Sequence, residues 1–182
     1  MTKKSIIFIS GRNSNPKRGL AKYLREQFDL LAQVTIDPNF LKHDFEDQVR
    51  AIYEFLAHYS EFTSPPTVIA HSYGAYLILH SVIAHTRLPM KLLLLSPITG
   101  FGSANGMKFM APGRKKMIDA ITKESFPKLY GSILVGTEDK QTSVEHIKAI
   151  ALQSSLELYL VENQTHAIEP SVVQNFIENK ID

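Results

Sequence analysis

The 182-residue chain has no cysteine. Disulfides, thiolate metal sites and cysteine nucleophiles are therefore excluded. It also has almost no net charge: twenty Lys and Arg against eighteen Asp and Glu leave +2. That is too little to argue for nucleic acid or an acidic membrane surface as a partner. No apolar stretch approaches the roughly 20 residues of a membrane span. The opening "MTKKSIIFIS" is basic and then apolar, but its apolar run covers only Ile6 to Ile9. Such a run is too short for a secretory signal, and no small-residue cleavage site follows it. Internal repeats, linkers and low-complexity tracts are missing as well, and a cytoplasmic location is the expectation. What remains is 44% hydrophobic and 21% charged, the composition of a soluble globular chain. Its length suits one domain with a substantial core, spanning residues 1–182.

Two textures alternate along this chain. Short β-branched or aliphatic runs occur at Ser5–Ser10, Val34–Ile36, Thr67–Ala70, Lys91–Ser96, Ser132–Gly136 and Leu156–Val161. Continuous apolar runs of this length suit strands buried on both faces. Between them lie segments with helical spacing: Pro16–Phe28, Asp44–Tyr59, Tyr73–Ala84, Arg114–Ile121, Ser143–Leu152 and Ser171–Ile181. In the first of these Asn15 is placed to cap and Pro16 to occupy the first helical position. Strict alternation implies right-handed crossovers and an α/β fold. The expected architecture is a six-stranded, mostly parallel sheet in the order 2-1-3-4-5-6, with helices on both faces. Residues 97–113, "PITGFGSANGMKFMAPG", are the one long irregular stretch, within a short cap-like excursion over 97–130.

One serine stands out in this frame. In "VIAHSYGAYL", Ser72 follows the third apolar run directly and opens the third helix, with Ala70 two residues before it and Gly74 two after. Small-x-Ser-x-Gly at a strand-to-helix junction is the spacing of a nucleophile elbow. The tight turn strains the serine backbone, lifts its hydroxyl clear of the sheet, and tolerates only small flanking residues. The plain alternative is a serine that caps a helix.

A serine hydroxyl needs a base, and the base needs an orienting acid. In this architecture they follow in the order serine, acid, histidine, on loops after later strands. "SILVG" is followed by "TEDK" with Asp139, and "LELYLVE" by "NQTH" with His166. Glu138 is the rival acid, since either carboxylate can orient an imidazole. His146 falls within a helix. His71 adjoins Ser72, but consecutive strand residues face opposite ways, which makes it a packing or supporting residue. His43, His58, His80 and His85 have no metal-ligand spacing, so no metal site is expected.

Acyl transfer also needs donors for the developing oxyanion. The Tyr73 N–H is one. The other is expected from the loop "SGRNSNP", where Gly11 permits close backbone approach and the Arg12 or Asn13 N–H is available. In the 97–113 stretch, Phe101, Met107 and Phe109 sit among glycines and are expected, with Gly11, to wall a shallow, open substrate pocket.

These residues together carry a resemblance. "SGRNSNPKRGLAKYL", "AHSYGAY", "GTEDK" and "NQTHAI" make the chain look like a small, lidless α/β-hydrolase. It is similar to bacterial esterases of the YqiA type along nearly its whole length, and next to small serine hydrolases of the retinoblastoma-binding-protein type. Two departures stand out: Ser10-Gly11 replaces a His-Gly pair, and Ala70 replaces a glycine at the start of the elbow. The resemblance implies cofactor-free hydrolysis of a small-molecule carboxylic ester or thioester through Ser72, Asp139 and His166. Two alternatives stay open: a non-catalytic protein that uses the same pocket to bind a ligand or a protein, and an acyltransferase or haloperoxidase on the same core.

Overall fold

The apolar runs associate into one sheet. The computed structural model describes residues 3–85, 88–104 and 106–181. Met1 and Thr2 of the opening segment, Asn105 of the 97–130 excursion and Asp182 lie outside the described residues. In chain order the elements are β1 (Ser5–Arg12), α1 (Gly19–Gln27), β2 (Asp29–Ile36), a short 3-10 turn (Phe40–Lys42), α2 (Phe45–Ser60), β3 (Thr67–His71) and α3 (Tyr73–His85). Then follow β4 (Lys91–Leu95), β5 (Phe101–Ala104), β6 (Met107–Met110), α4 (Arg114–Thr122), β7 (Tyr130–Gly136), α5 (Val144–Ser154), β8 (Glu157–Val161) and α6 (Pro170–Lys180). The main sheet runs β2-β1-β3-β4-β7-β8, with every pair parallel. Counted among themselves, its six strands have the expected order 2-1-3-4-5-6.

Alternate residues of the central strands serve two cores. Ile7, Ile9, Val68, Ala70, Leu92 and Leu94 face α2, α3, α4 and α5. Ile6, Phe8, Ile69, Leu93, Leu95 and Leu134 face α1 and α6. Helix α3 is buried at every position from Tyr73 to Val82, so its sequence reads as an apolar helix, not an amphipathic one. Because all six strands are parallel, their carboxyl ends share one edge, and the loops there bring distant residues together.

Two boundaries and one added hairpin are the main differences from the sequence reading. Helix α1 starts at Gly19, not Pro16, because the Asn15 side chain accepts the Lys17 N–H at 2.8 Å and closes a local turn ahead of the helix. Strand β2 begins five residues earlier than its apolar run. It is an edge strand with exposed Asp29 and Leu31, so its first half carries no continuous apolar signal. The irregular stretch contains an antiparallel hairpin, β5–β6, in which Phe101 pairs with Met110 and Gly102 with Phe109.

His80 is fully buried on α3. The rings of Tyr76 and Phe45 approach it edge-on at 4.5 and 4.8 Å. Among the described residues neither of its ring nitrogens has a hydrogen-bond partner. Burial, assisted by the Lys116 charge, lowers its pKa to about 3. The unfolded chain therefore takes up this proton more readily, starting near the ordinary value of about 6.5. Above that pH neither state is protonated and the effect is nil. Below it, stability falls with pH until the folded state also protonates. By pH 5 the loss from this residue is about 2 kcal/mol. Denaturant unfolding at pH 7 and pH 5 is expected to show the native chain losing about 2 kcal/mol more than His80→Phe; equal losses would mean that His80 is not held neutral in the fold.

Candidate active site

Ser72 lies between β3 and α3 with φ 53°, a left-handed conformation that costs a non-glycine residue about 1–3 kcal/mol. Its N–H donates to the Leu95 carbonyl at 2.9 Å, and its own carbonyl accepts the Tyr76 N–H at 3.0 Å as the first bond of the helix. Strand and helix are thus anchored on either side of one strained residue. Gly74 follows for a steric reason: a Cβ there would run into the Ser10 carbonyl and the Ile9 side chain of β1. The small residue is required because α3 passes so close to β1.

Two hydrogen bonds lead away from the serine. Ser72 Oγ is 2.8 Å from His166 Nε2, and His166 Nδ1 is 2.8 Å from Asp139 Oδ2. An ionised carboxylate only accepts, so Nδ1 carries the ring proton and Nε2 presents its lone pair to the hydroxyl. The Asp139 side chain is fully buried while that of His166 is 14% exposed. The second Asp139 oxygen accepts the Gln141 N–H at 2.8 Å. Glu138 is exposed; its backbone, not its carboxylate, is engaged, with N–H donating to the Gln164 carbonyl at 2.9 Å. His146 lies on α5, and its side chain takes no part in these hydrogen bonds.

The loops that carry acid and histidine are tied to each other. The Thr137 N–H donates to the Val161 carbonyl at 3.0 Å, alongside the Glu138 bond to Gln164. Gly136 has no space for a side chain because the Gln164 carbonyl lies against it. The β5–β6 hairpin and the segment before it support the acid loop from the other side: Ser103 N–H donates to the Lys140 carbonyl at 2.6 Å, and Thr99 Oγ1 accepts the Ser143 N–H at 3.1 Å.

Of the three candidate oxyanion donors, the structure separates one. The Asn13 N–H donates to the Ile36 carbonyl of β2 at 2.9 Å, so of the two first-loop alternatives Asn13 is engaged elsewhere. In a parallel ladder alternate residues bond to opposite sides, and Arg12, which pairs with Ile36, therefore turns its N–H away from β2. The Tyr73 N–H is in the first turn of α3, without an intrahelical acceptor. The Arg12 guanidinium lies 4.0 Å above the Tyr73 ring, and the Tyr73 hydroxyl donates to Gln48 at 3.0 Å. Arg12 is exposed, with its guanidinium stacked on that aromatic face.

A cavity of about 410 Å³ contains Ser72, with Gly11, Ile98, Phe109 and Met110 among its walls. Of the four residues expected to wall a substrate pocket, Gly11 and Phe109 line this cavity. Phe101 and Met107 do not line it: Phe101 packs under the Arg114 guanidinium at 5.9 Å, and Met107, beside the hairpin turn, is 72% exposed. A second cavity of about 480 Å³ lies between α1 and α6 and shares Ser14, His71 and His166 with the first. His71 is thus beside the site, its ring 5.9 Å from that of His166. Burial, with the neighbouring His166, lowers its pKa to about 4, so it is neutral at neutral pH. Among the described residues no group of three or more His, Asp or Glu is arranged to hold a metal, and no helix is long and apolar enough to cross a membrane.

No family model matches the chain, and no curated protein matches it by sequence. Solved structures match it closely in shape. Est1E from Butyrivibrio proteoclasticus is 13% identical with a TM-score of 0.66, over 98% of this chain and 86% of that one. A monoacylglycerol lipase from Paleococcus ferrophilus is also 13% identical, TM-score 0.66, over 98% and 93%. The ydeN gene product of B. subtilis is 18% identical, TM-score 0.63, over 96% and 97%. At such identities the likeness is one of architecture, and the chain has the α/β-hydrolase fold.

Proposed function

We propose that this protein is a serine hydrolase of short-chain carboxylic esters or thioesters, one hydrolase domain of the YqiA-like, lidless type with residues 97–130 as a short cap-like excursion. The observation that carries this reading is the unbroken line from Ser72 Oγ through His166 to the buried Asp139, two bonds of 2.8 Å, starting from a serine at φ 53°. His166 Nε2 takes the hydroxyl proton as Ser72 Oγ bonds to the acyl carbon, and Asp139 stabilises the imidazolium that results. The N–H groups of Tyr73 and Arg12 face the oxygen that gains charge. Collapse of the tetrahedral species breaks the bond to the leaving oxygen or sulfur, which takes the proton from Nε2. Water, deprotonated by the same nitrogen, then releases the acid and restores Ser72. A fluorophosphonate probe is expected to label Ser72 alone, located by intact mass and peptide mapping. Folded protein with no adduct, or an adduct elsewhere, would remove the catalytic reading.

The Ser72 cavity also sets an expectation for acyl length. Its outer wall is the hairpin, where Phe109 is half-buried and Met110 is 63% exposed, so a growing chain soon emerges into water. Each methylene contributes about 0.8 kcal/mol only while buried, roughly fourfold in kcat/KM. For p-nitrophenyl esters kcat/KM is expected to rise from acetate to butyrate and to flatten or fall by octanoate. A steady climb through dodecanoate would show a deep tunnel instead. Phe109→Ala should weaken butyrate more than acetate, and equal losses would remove Phe109 from the acyl site.

A further inference from the structure

The apolar cavity between α1 and α6 has no part in the steps above, yet it opens beside His166. Its walls include Leu20, Tyr23, Leu95, Ile168 and Val173, with Asn15 and Arg18 among the polar ones, and it shares His71 and His166 with the Ser72 cavity. Ser72, Tyr73 and Arg12 line only the other cavity. Two chambers therefore meet at the histidines, one with the nucleophile and the oxyanion donors, the other apolar.

Proton delivery assigns the chambers. The acyl carbon must lie against Ser72 Oγ and its oxygen against the Tyr73 and Arg12 N–H groups, which fixes the acyl part in the Ser72 cavity. The leaving oxygen must lie within hydrogen-bond reach of His166 Nε2 to receive its proton. Whatever is attached to that oxygen then continues on the His166 side. We propose that the leaving group enters the α1–α6 cavity, so that the substrates are small-acyl esters of bulky apolar alcohols, aryl-bearing or branched. This rests on the hydrolase reading and adds to it the half of the substrate that the Ser72 cavity does not hold.

His71 supports the assignment. No hydrogen bond engages its ring nitrogens among the described residues, and the ring borders both chambers. It offers the departing alcohol a polar neighbour at the passage. Because it is neutral, it adds no second positive charge beside the imidazolium that His166 becomes. Gly11 belongs to the same design, since a Cβ at that position would come within 2.9 Å of His71 Nδ1.

The test keeps the acyl group fixed and varies the alcohol. Ethyl, benzyl and 2-phenylethyl acetates carry unactivated alkyl leaving groups and differ mainly in apolar size. Benzyl and phenylethyl acetates are expected to exceed ethyl acetate in kcat/KM by about tenfold to a hundredfold, the range for burying a phenyl-sized group. Val173→Phe fills the cavity and is expected to lower the benzyl-to-ethyl ratio about tenfold; if that variant does not fold, Val173→Ala, which thins the wall, should lower it about threefold. In Ser72→Ala protein, ligand-observed NMR should detect benzyl alcohol binding that the Val173 variant weakens. Ester turnover that depends on Ser72 but shows a benzyl-to-ethyl ratio near one, or a high ratio that neither Val173 variant moves, overturns the inference and leaves the hydrolase reading standing. If no ester is turned over and Ser72 takes no fluorophosphonate, the hydrolase reading falls and this inference with it.

Discussion

Ser72→Ala is expected to lower kcat on p-nitrophenyl butyrate by up to about 10⁶-fold, the loss measured when the serine of such a relay is removed from a protease. Only one oxygen disappears, and the contact it makes is with His166 at 2.8 Å. Alanine takes the same place at φ 53° with a backbone strain like that of serine, so circular dichroism and the unfolding midpoint should hardly change. His166→Ala is expected to be comparably damaging, because a hydroxyl without a base is a poor nucleophile. The double variant should then be no slower than either single one, since the groups act as a unit. Losses that multiply would mean that the two residues act independently. A Ser72→Ala enzyme with more than about one hundredth of the native rate would take the nucleophile elsewhere, because removing any member of such a relay leaves only the contribution of the oxyanion hole and binding.

The parts of this fold that could be read in advance are those where burial on both faces imposes a continuous apolar run. Strands β3, β4 and β7 have nearly every residue buried, and their runs mark them directly. Strand β2 is at the sheet edge and mixes exposed with half-buried residues, so only its last three residues resembled a strand. The β5–β6 hairpin was not visible because its four-residue strands are broken by Gly102 and bounded by Gly100 and Gly106. Its position depends on long-range bonds to Lys140 and the Thr99–Ser143 contact, which no local pattern records.

The same division runs through the site. Ser72, Asp139 and His166 each follow directly or closely on a legible strand, and parallel strands place those ends on one edge. Whether Asn13 or Arg12 offers a free N–H depends on the register of β1 against the unseen half of β2, where Asn13 bonds to Ile36. His71, expected as a packing or supporting residue next to Ser72, is the last residue of β3 before the chain turns, and its ring lies 5.9 Å from that of His166.

Asp139→Asn is the most discriminating substitution that preserves shape. The carboxylate receives two donors, the Gln141 N–H on Oδ1 and His166 Nδ1 on Oδ2, both at 2.8 Å, and its side chain is fully buried. An asparagine must still satisfy the Gln141 N–H, so its carbonyl oxygen takes that position and its amide nitrogen faces His166. A donor opposite Nδ1 forces the ring proton onto Nε2. That nitrogen then points a hydrogen at Ser72 where a lone pair is needed, and the serine has no base. The geometry survives while the tautomer inverts, a change that elsewhere has lowered kcat by about 10⁴-fold. The same loss is expected here, in kcat more than in KM, with fluorophosphonate labelling of Ser72 slowed in parallel and the fold unchanged. Glu138→Gln should stay within about threefold of the native rate, because that side chain points into solvent and surface changes away from a site have small effects. If instead Glu138→Gln proves the more damaging, the histidine is oriented from Glu138 during turnover, and the buried carboxylate at 139 is there to hold the loop through Gln141.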